Sequence, residues 1–243
     1  MLNEIRLAAG FLTIIPVGGD CDSSTQVSAS FGWFPLIGFI LGALLGGADY
    51  ALASLISNPV RSTLLVLFLA AITGAVHLDG LADTADALGA GRDRARALAI
   101  LHDSRIGTFG AAAVFFVLAL KIAALASATH SRQVALYLAP GLARWAMVAV
   151  SYNLKYLREQ GAGSTLLGHE SQRNLLRASL ATVIALIPAG AVFSIPVTIV
   201  SVTLVCILRS FYDRWLGGIT GDLIGAAGEI IETAALIAIT ARA

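Results

Sequence analysis

Long apolar runs separated by short charged segments set the pattern of this chain: Phe31 to Ile56, Arg61 to Leu78, Thr108 to Thr129, Val134 to Tyr152, Ala178 to Phe193, Ile195 to Leu208 and Ile224 to Ala241. A helix of about 20 apolar residues crosses the hydrocarbon core with its backbone hydrogen bonds satisfied internally. The pattern therefore predicts an all-α, polytopic membrane helix bundle of six or seven transmembrane helices. The runs around Pro188 and Pro196 are each short for a full crossing, and a tight helical hairpin would account for both. Leu7 to Val17, interrupted by Gly10 and Pro16, predicts a short interfacial or re-entrant helix and carries no cleavage site of signal type. A single integral membrane domain over residues 1–243 is expected.

Composition agrees with that pattern. Of 243 residues, 57% are hydrophobic and 13% charged, and the mean hydropathy is +0.83, which a soluble globule of this size could not cover with polar surface. A formal net charge of +1 leaves no nucleic-acid footprint, and the two cysteines, Cys21 and Cys206, form no CxxC pair. Basic residues are retained in cytoplasmic loops. With the segment from Asp79 to Arg105 placed inside, eleven basic residues (Arg6, Arg92, Arg94, Arg96, Arg105, Lys155, Arg158, Arg173, Arg177, Arg209, Arg214) are cytoplasmic and three (Arg61, Arg132, Arg242) are not. This bias predicts a multi-pass protein of a bacterial inner (cytoplasmic) membrane, with its chemistry facing the cytoplasm. Gly38, Gly42 and Gly46 recur every fourth residue and form a small-residue stripe suited to helix packing, including packing between subunits of a homo-oligomer.

Two acidic constellations carry the chemistry. In His77-Leu-Asp79-Gly-Leu-Ala-Asp83-Thr-Ala-Asp86 the carboxylates at i, i+4 and i+7 fall within about 60° of one another on a helix. Oxygen ligands of this kind suit Mg²⁺ or Mn²⁺, and Gly80, Ala82 and Ala85 leave room for a ligand. In Gly217-Gly-Ile-Thr220-Gly-Asp222-Leu-Ile-Gly225-Ala-Ala-Gly228-Glu229-Ile-Ile-Glu232, a helix starting near Asp222 puts Glu229 on the same face, with Glu232 about 60° away. Carboxylates opening a membrane span are functional candidates, although Asp222 could equally be an N-cap.

Between them lie Arg92, Arg94 and Arg96, followed by His102-Asp-Ser104-Arg105-Ile-Gly-Thr108-Phe-Gly110. Guanidinium groups clamp phosphate oxygens, and a Ser/Gly/Thr-rich turn opening a helix offers free N–H groups to an anion, so this segment reads as a diphosphate pocket. A plain positive-inside loop accounts equally well for the first three arginines. Lys121 and Arg144 sit inside apolar spans, where an unpaired charge costs at least ~2.5 kcal/mol, so they should face the interior, either neutralising a carboxylate such as Asp86 or Glu229 or contacting substrate. The histidines lack His-x-x-x-His spacing, which argues against zinc.

These motifs, with Phe11-Leu-Thr and Phe34-Pro-Leu-Ile-Gly38, resemble the cobalamin synthase family of adenosylcobinamide-GDP ribazoletransferases, in order along most of the chain. The chain departs from the family pattern at Ile14-Ile15, where an Arg is expected, and at His102, where a Lys or Arg is usual. The resemblance implies a transferase of nucleotide loop assembly in cobalamin biosynthesis. It would join adenosylcobinamide-GDP to α-ribazole or α-ribazole 5′-phosphate with Mg²⁺, giving adenosylcobalamin or its 5′-phosphate and GMP. The expected metal ligands are Asp79, Asp83, Asp86, Asp222 and Glu229. Arg105 joins them as a catalytic residue, and Arg92, Ser104, Thr108, Lys121, Arg144 and Thr220 are expected to bind substrate. The incoming hydroxyl needs a base, for which Asp86 or Glu229 is the expected source. A CDP-alcohol phosphotransferase would need Asp-x-x-Asp-Gly where this chain has Asp-x-x-x-Asp. A transporter is disfavoured by the absence of a detectable repeat and by the gathering of charges at one membrane face.

Overall fold

The computed structural model describes residues 1–17, 24–91, 93–103, 105–158 and 171–241. Its helices are α1 (Leu2–Leu12), α2 (Ser24–Ser30), α3 (Phe34–Leu52), α4 (Asn58–Ile72), α5 (Val76–Leu88), α6 (Arg94–Ile100), α7 (Thr108–Ser127), α8 (Arg132–Ser151), α9 (Ser171–Leu186), α10 (Gly190–Leu216) and α11 (Gly221–Thr240). Among the described residues the one β-type pairing is a parallel bridge between Tyr156 and Ile219. The chain is an all-α polytopic bundle. Five helical stretches are long and apolar enough to cross a membrane, six with the bent α4–α5 pair taken as one.

The longest stretch, Ser171–Leu216, has 46 residues, and as one straight helix it would reach about 70 Å, over twice the hydrocarbon thickness. It turns back instead. A 3₁₀ turn at Ile187–Ala189 leads to Gly190 at φ +73°, and Ser194 Oγ donates to the Leu186 carbonyl at 2.8 Å, eight residues back. The hairpin expected around Pro188 is therefore present, with its second arm running unbroken through Pro196 to Leu216.

The run from Arg61 to Leu78 is not one span. Thr73 Oγ1 donates back to the Leu69 carbonyl, Gly74 and Ala75 adopt φ of 62° and 54°, and α5 leaves α4 at 89°. Two successive left-handed residues end a right-handed helix whatever their polarity, so an apolar count ran straight through the corner. The acid-bearing α5 is thereby turned crosswise to α4. The N-terminal helix also starts earlier than expected, at Leu2, and stops when Thr13 turns extended, three residues short of Pro16.

The most buried of the candidate crossings is α8, packed on one side by α3 and on the other by α11. A Cβ on Gly38 would overlap the Pro140 carbonyl and one on Gly42 the Tyr137 carbonyl, while Gly228 accommodates Met147. Between helices in lipid there is no hydrophobic gain, so such close backbone approach is what holds them. The Gly38/Gly42 stripe is thus spent inside the chain, against α8.

Charge is not confined to one face either. At the far end of the bundle Asp49 of α3 accepts from Arg61 Nε at 2.5 Å and Arg132 Nη2 at 2.7 Å, all three buried.

Candidate active site

The acid row lies on α5, as its spacing predicts, and α5 meets the N-terminus of α11. Gly80 makes that meeting possible, since a Cβ there would stand 2.8 Å from the Asp222 carbonyl oxygen. A Cβ on Gly225 would come to 3.2 Å from the His77 Cα. The two glycines thus let the helices touch through their backbones and bring Asp79 and Asp83 beside Asp222. The N-cap of α11 is Thr220, whose hydroxyl accepts from the Leu223 N–H at 3.3 Å. Asp222 is thereby free of capping, and its Oδ2 instead takes a 2.6 Å hydrogen bond from Arg158.

The electrostatics of the row are uncompensated. Partial burial, reinforced by the Asp79 and Asp222 carboxylates and opposed by the Arg158 guanidinium, pushes the Asp83 carboxyl up to about 6. Asp79 is exposed and Asp83 half-buried.

The third member of the row has a different task. Asp86 accepts from the Gly107 N–H at 2.6 Å and from the Gly110 N–H at 2.8 Å, capping the first turn of α7 from a neighbouring helix. A Cβ at Gly107 or Gly110 would overlap its carboxylate, which gives Gly-Thr-Phe-Gly a structural reason. Both oxygens of Asp86 are engaged.

Glu229 likewise stands apart from the row. It lies deep in the bundle, where Lys121 Nζ donates to Glu229 Oε2 and Glu232 Oε1, both at 2.6 Å, and Arg144 Nη1 donates to Glu232 Oε2 at 2.6 Å. The four charges balance two against two and join α7, α8 and α11 beside a cavity of about 30 Å³. Lys121 and Arg144 face inward as expected, in the role of counter-ions. Glu232 is the hub that both cations share.

Arg105 is exposed and folds onto Asp103, its Nη2 at 2.6 Å from Oδ2, which holds the Asp103 carboxyl below its usual range. Thr108 is the exposed first residue of α7. Arg92 and Ser104 lie outside the described residues. Two charged residues escaped the sequence reading. Asp49 carried a usable signal, a lone carboxylate within an apolar run. Arg158 carried none beyond a basic residue in a short loop.

Among the described residues no three His, Cys, Asp or Glu side chains converge tightly enough to enclose a metal ion. The donors at the α5–α11 junction nonetheless suit Mg²⁺, which favours hard oxygens and takes one or two carboxylates, completing its shell with water and substrate phosphate. The charge Asp79, Asp83 and Asp222 impose on one another is what a divalent cation would relieve.

A family model for cobalamin-5-phosphate synthase matches residues 4–240. The chain belongs to the cobalamin-5-phosphate synthase family. Members compared with it are named adenosylcobinamide-GDP ribazoletransferase. That of Geotalea daltonii is 36% identical over 242 residues, covering 99% of this chain and 98% of the relative. That of Syntrophobacter fumaroxidans is 40% identical over 248 residues, covering 98% of each. That of Desulforamulus reducens is 36% identical over 239 residues, covering 96% of this chain and 94% of the relative. No solved structure matches the chain. Membership of the cobalamin-5-phosphate synthase family makes this membrane protein an enzyme and sets aside the CDP-alcohol phosphotransferase and transporter readings.

Proposed function

We propose that this enzyme transfers adenosylcobinamide phosphate from adenosylcobinamide-GDP to a ribose hydroxyl of α-ribazole or α-ribazole 5′-phosphate, releasing GMP. The product is adenosylcobalamin or its 5′-phosphate. The reaction takes place at the cytoplasmic face of the inner membrane, within one catalytic domain spanning residues 1–243. Because one acceptor already carries phosphate at the 5′ position, the attacking hydroxyl is another one of the ribose. The observation that carries the reading is the junction of α5 and α11, where Gly80 brings Asp79 and Asp83 against Asp222. The family names of the relatives supply the substrates.

In this reading Asp79, Asp83 and Asp222 hold Mg²⁺, which when bound neutralises charge on the diphosphate and on the departing GMP. The chain's own residues do the rest. Asp86 fixes the start of α7, so that the turn from Asp103 to Thr108 is presented to the phosphates from a defined place. The buried quartet of Lys121, Arg144, Glu229 and Glu232 holds α11 in register beneath Asp222. A carboxylate near its own pKa accepts a proton most usefully close to neutrality. The oxygens of Asp86 and Glu229 are committed to the start of α7 and to Lys121, and a carboxylate that ligates the metal, as Asp83 does in this reading, is not free to take that proton.

The test is turnover of adenosylcobinamide-GDP and α-ribazole by the full-length protein in lipid, with and without Mg²⁺, scoring GMP and corrinoid product together. Metal-dependent formation of both in equal amounts is expected. A folded protein that forms neither would overturn the reading.

A further inference from the structure

We infer that Arg158 binds the diphosphate of the nucleotide-activated donor, a deepening that rests on the function proposed above. Arg158 belongs to a loop held in place by an unusual local device. The Ile219 N–H donates to the Lys155 carbonyl at 2.9 Å and the Leu157 N–H donates to the Ile219 carbonyl at 3.0 Å, the one parallel bridge among the described residues. Gly218 permits it, because a Cβ there would overlap the Lys155 carbonyl. The bridge fixes the backbone next to Arg158 against the turn that opens α11.

From that anchor the guanidinium reaches between two parts of the site. Its Nη2 lies 2.6 Å from Asp222 Oδ2 and 2.6 Å from the Leu101 carbonyl, the residue that closes α6 just before the Asp103-to-Thr108 turn. An arginine has five N–H donors in a planar fork. Both of these contacts use Nη2, and Nε is buried with no hydrogen-bond partner among the described residues. Three other basic candidates are committed elsewhere: Arg105 to Asp103, Lys121 and Arg144 to the buried glutamates. Arg158 is also the cation that counters the charge on Asp83. Held against Asp222 and within reach of the charge on Asp83, the guanidinium has N–H donors on Nη1 left to meet a phosphate oxygen. The carboxylate of Asp222 keeps it aimed.

The experiment compares wild type, Arg158→Gln and Arg158→Lys as full-length protein in nanodiscs, with folding checked by thermal unfolding. It measures binding of inorganic pyrophosphate with Mg²⁺ by calorimetry, and the KM values for donor and acceptor separately. Loss of a charge-assisted contact predicts, for Arg158→Gln, pyrophosphate affinity and donor KM both worsened about tenfold or more, with the acceptor KM within twofold of wild type. Arg158→Lys keeps the charge without the fork and should recover part of the loss. If Arg158→Gln lowers kcat alone, or leaves pyrophosphate binding within twofold, Arg158 is a structural tie and the inference falls. If Arg158→Gln fails to fold, Arg158→Lys decides: a threefold or greater weakening of pyrophosphate supports the inference, and unchanged binding overturns it. Arg158-dependent pyrophosphate binding by a wild-type protein that does not turn over adenosylcobinamide-GDP would defeat the proposed reaction and leave this inference standing.

Discussion

Asp222 opens α11 beside Asp79 and Asp83, whereas Glu229 and Glu232 stand two to three turns further along the same helix. The deeper pair is matched charge for charge by Lys121 and Arg144 and sealed from water. The outer group has three carboxylates, one guanidinium, and open access to solvent. Buried charge persists only when neutralised, because its desolvation is not otherwise repaid. Surplus charge at an accessible edge is tolerable and leaves an appetite for a cation. A single helix thus carries a balanced ion network and an undercompensated acid group, told apart by their counter-charges rather than by residue type.

The strongest way to break the comparison is at the outer group. Alanine at Asp79 or Asp83 should lower turnover by at least about 100-fold, while the thermal unfolding midpoint in detergent stays within a few degrees of wild type. A comparable loss of folded protein would place these acids with the structural set. Conversely, Lys121→Met strands two buried carboxylates on one guanidinium and should cost about 3–5 kcal/mol of stability, read from unfolding before any kinetic assay. Replacing all four members of the quartet with apolar residues of similar volume should restore most of it. A full restoration of stability with turnover still lost would mean the quartet does more than hold α11.

A smaller effect tests the junction itself. Gly80→Ala sets a methyl 2.8 Å from the Asp222 carbonyl, an overpacking of about 1–3 kcal/mol. It should reduce turnover and Mg²⁺ affinity together, because it separates α5 from α11. The mildest probe is pH. The Asp83 carboxyl sits near 6, above its ordinary 3.8, so the folded state binds more protons than the unfolded chain between those values. Metal-free protein should therefore grow more stable as pH falls from about 6 toward 4, while Mg²⁺ affinity declines over the same range. Calorimetry in chelator and a Mg²⁺ titration at each pH would check both, and parallel trends would contradict the assignment.

Much of this was legible in the chain because the signals are local. The period-3.6 spacing of Asp79, Asp83 and Asp86 placed all three on one helix, and Asp222 was expected at the start of another, as both are found. What stayed hidden is tertiary. Nothing in the sequence near Asp86 says that it caps a helix beginning at residue 108, and although Glu229 was an open partner for Lys121, nothing near it says that Glu232 is the residue both cations share. Arg158 is positioned by a pairing with Ile219 that no periodicity announces. The corner after Ile72 was obscured for another reason: Val76 and Leu78 continue the apolar run across it, and hydropathy is blind to the sign of φ at Gly74 and Ala75.

That corner has a consequence for the traffic of reactants. A helix turned through 89° from its neighbour does not continue its line, so α5 runs crosswise to α4, with Asp79 exposed. A nucleotide diphosphate drawn into hydrocarbon would forfeit hydration worth many kcal/mol per charge. At an exposed acid row it would keep that hydration until the acids and a cation replaced it, and the apolar helices would serve as the mounting that holds that row in place.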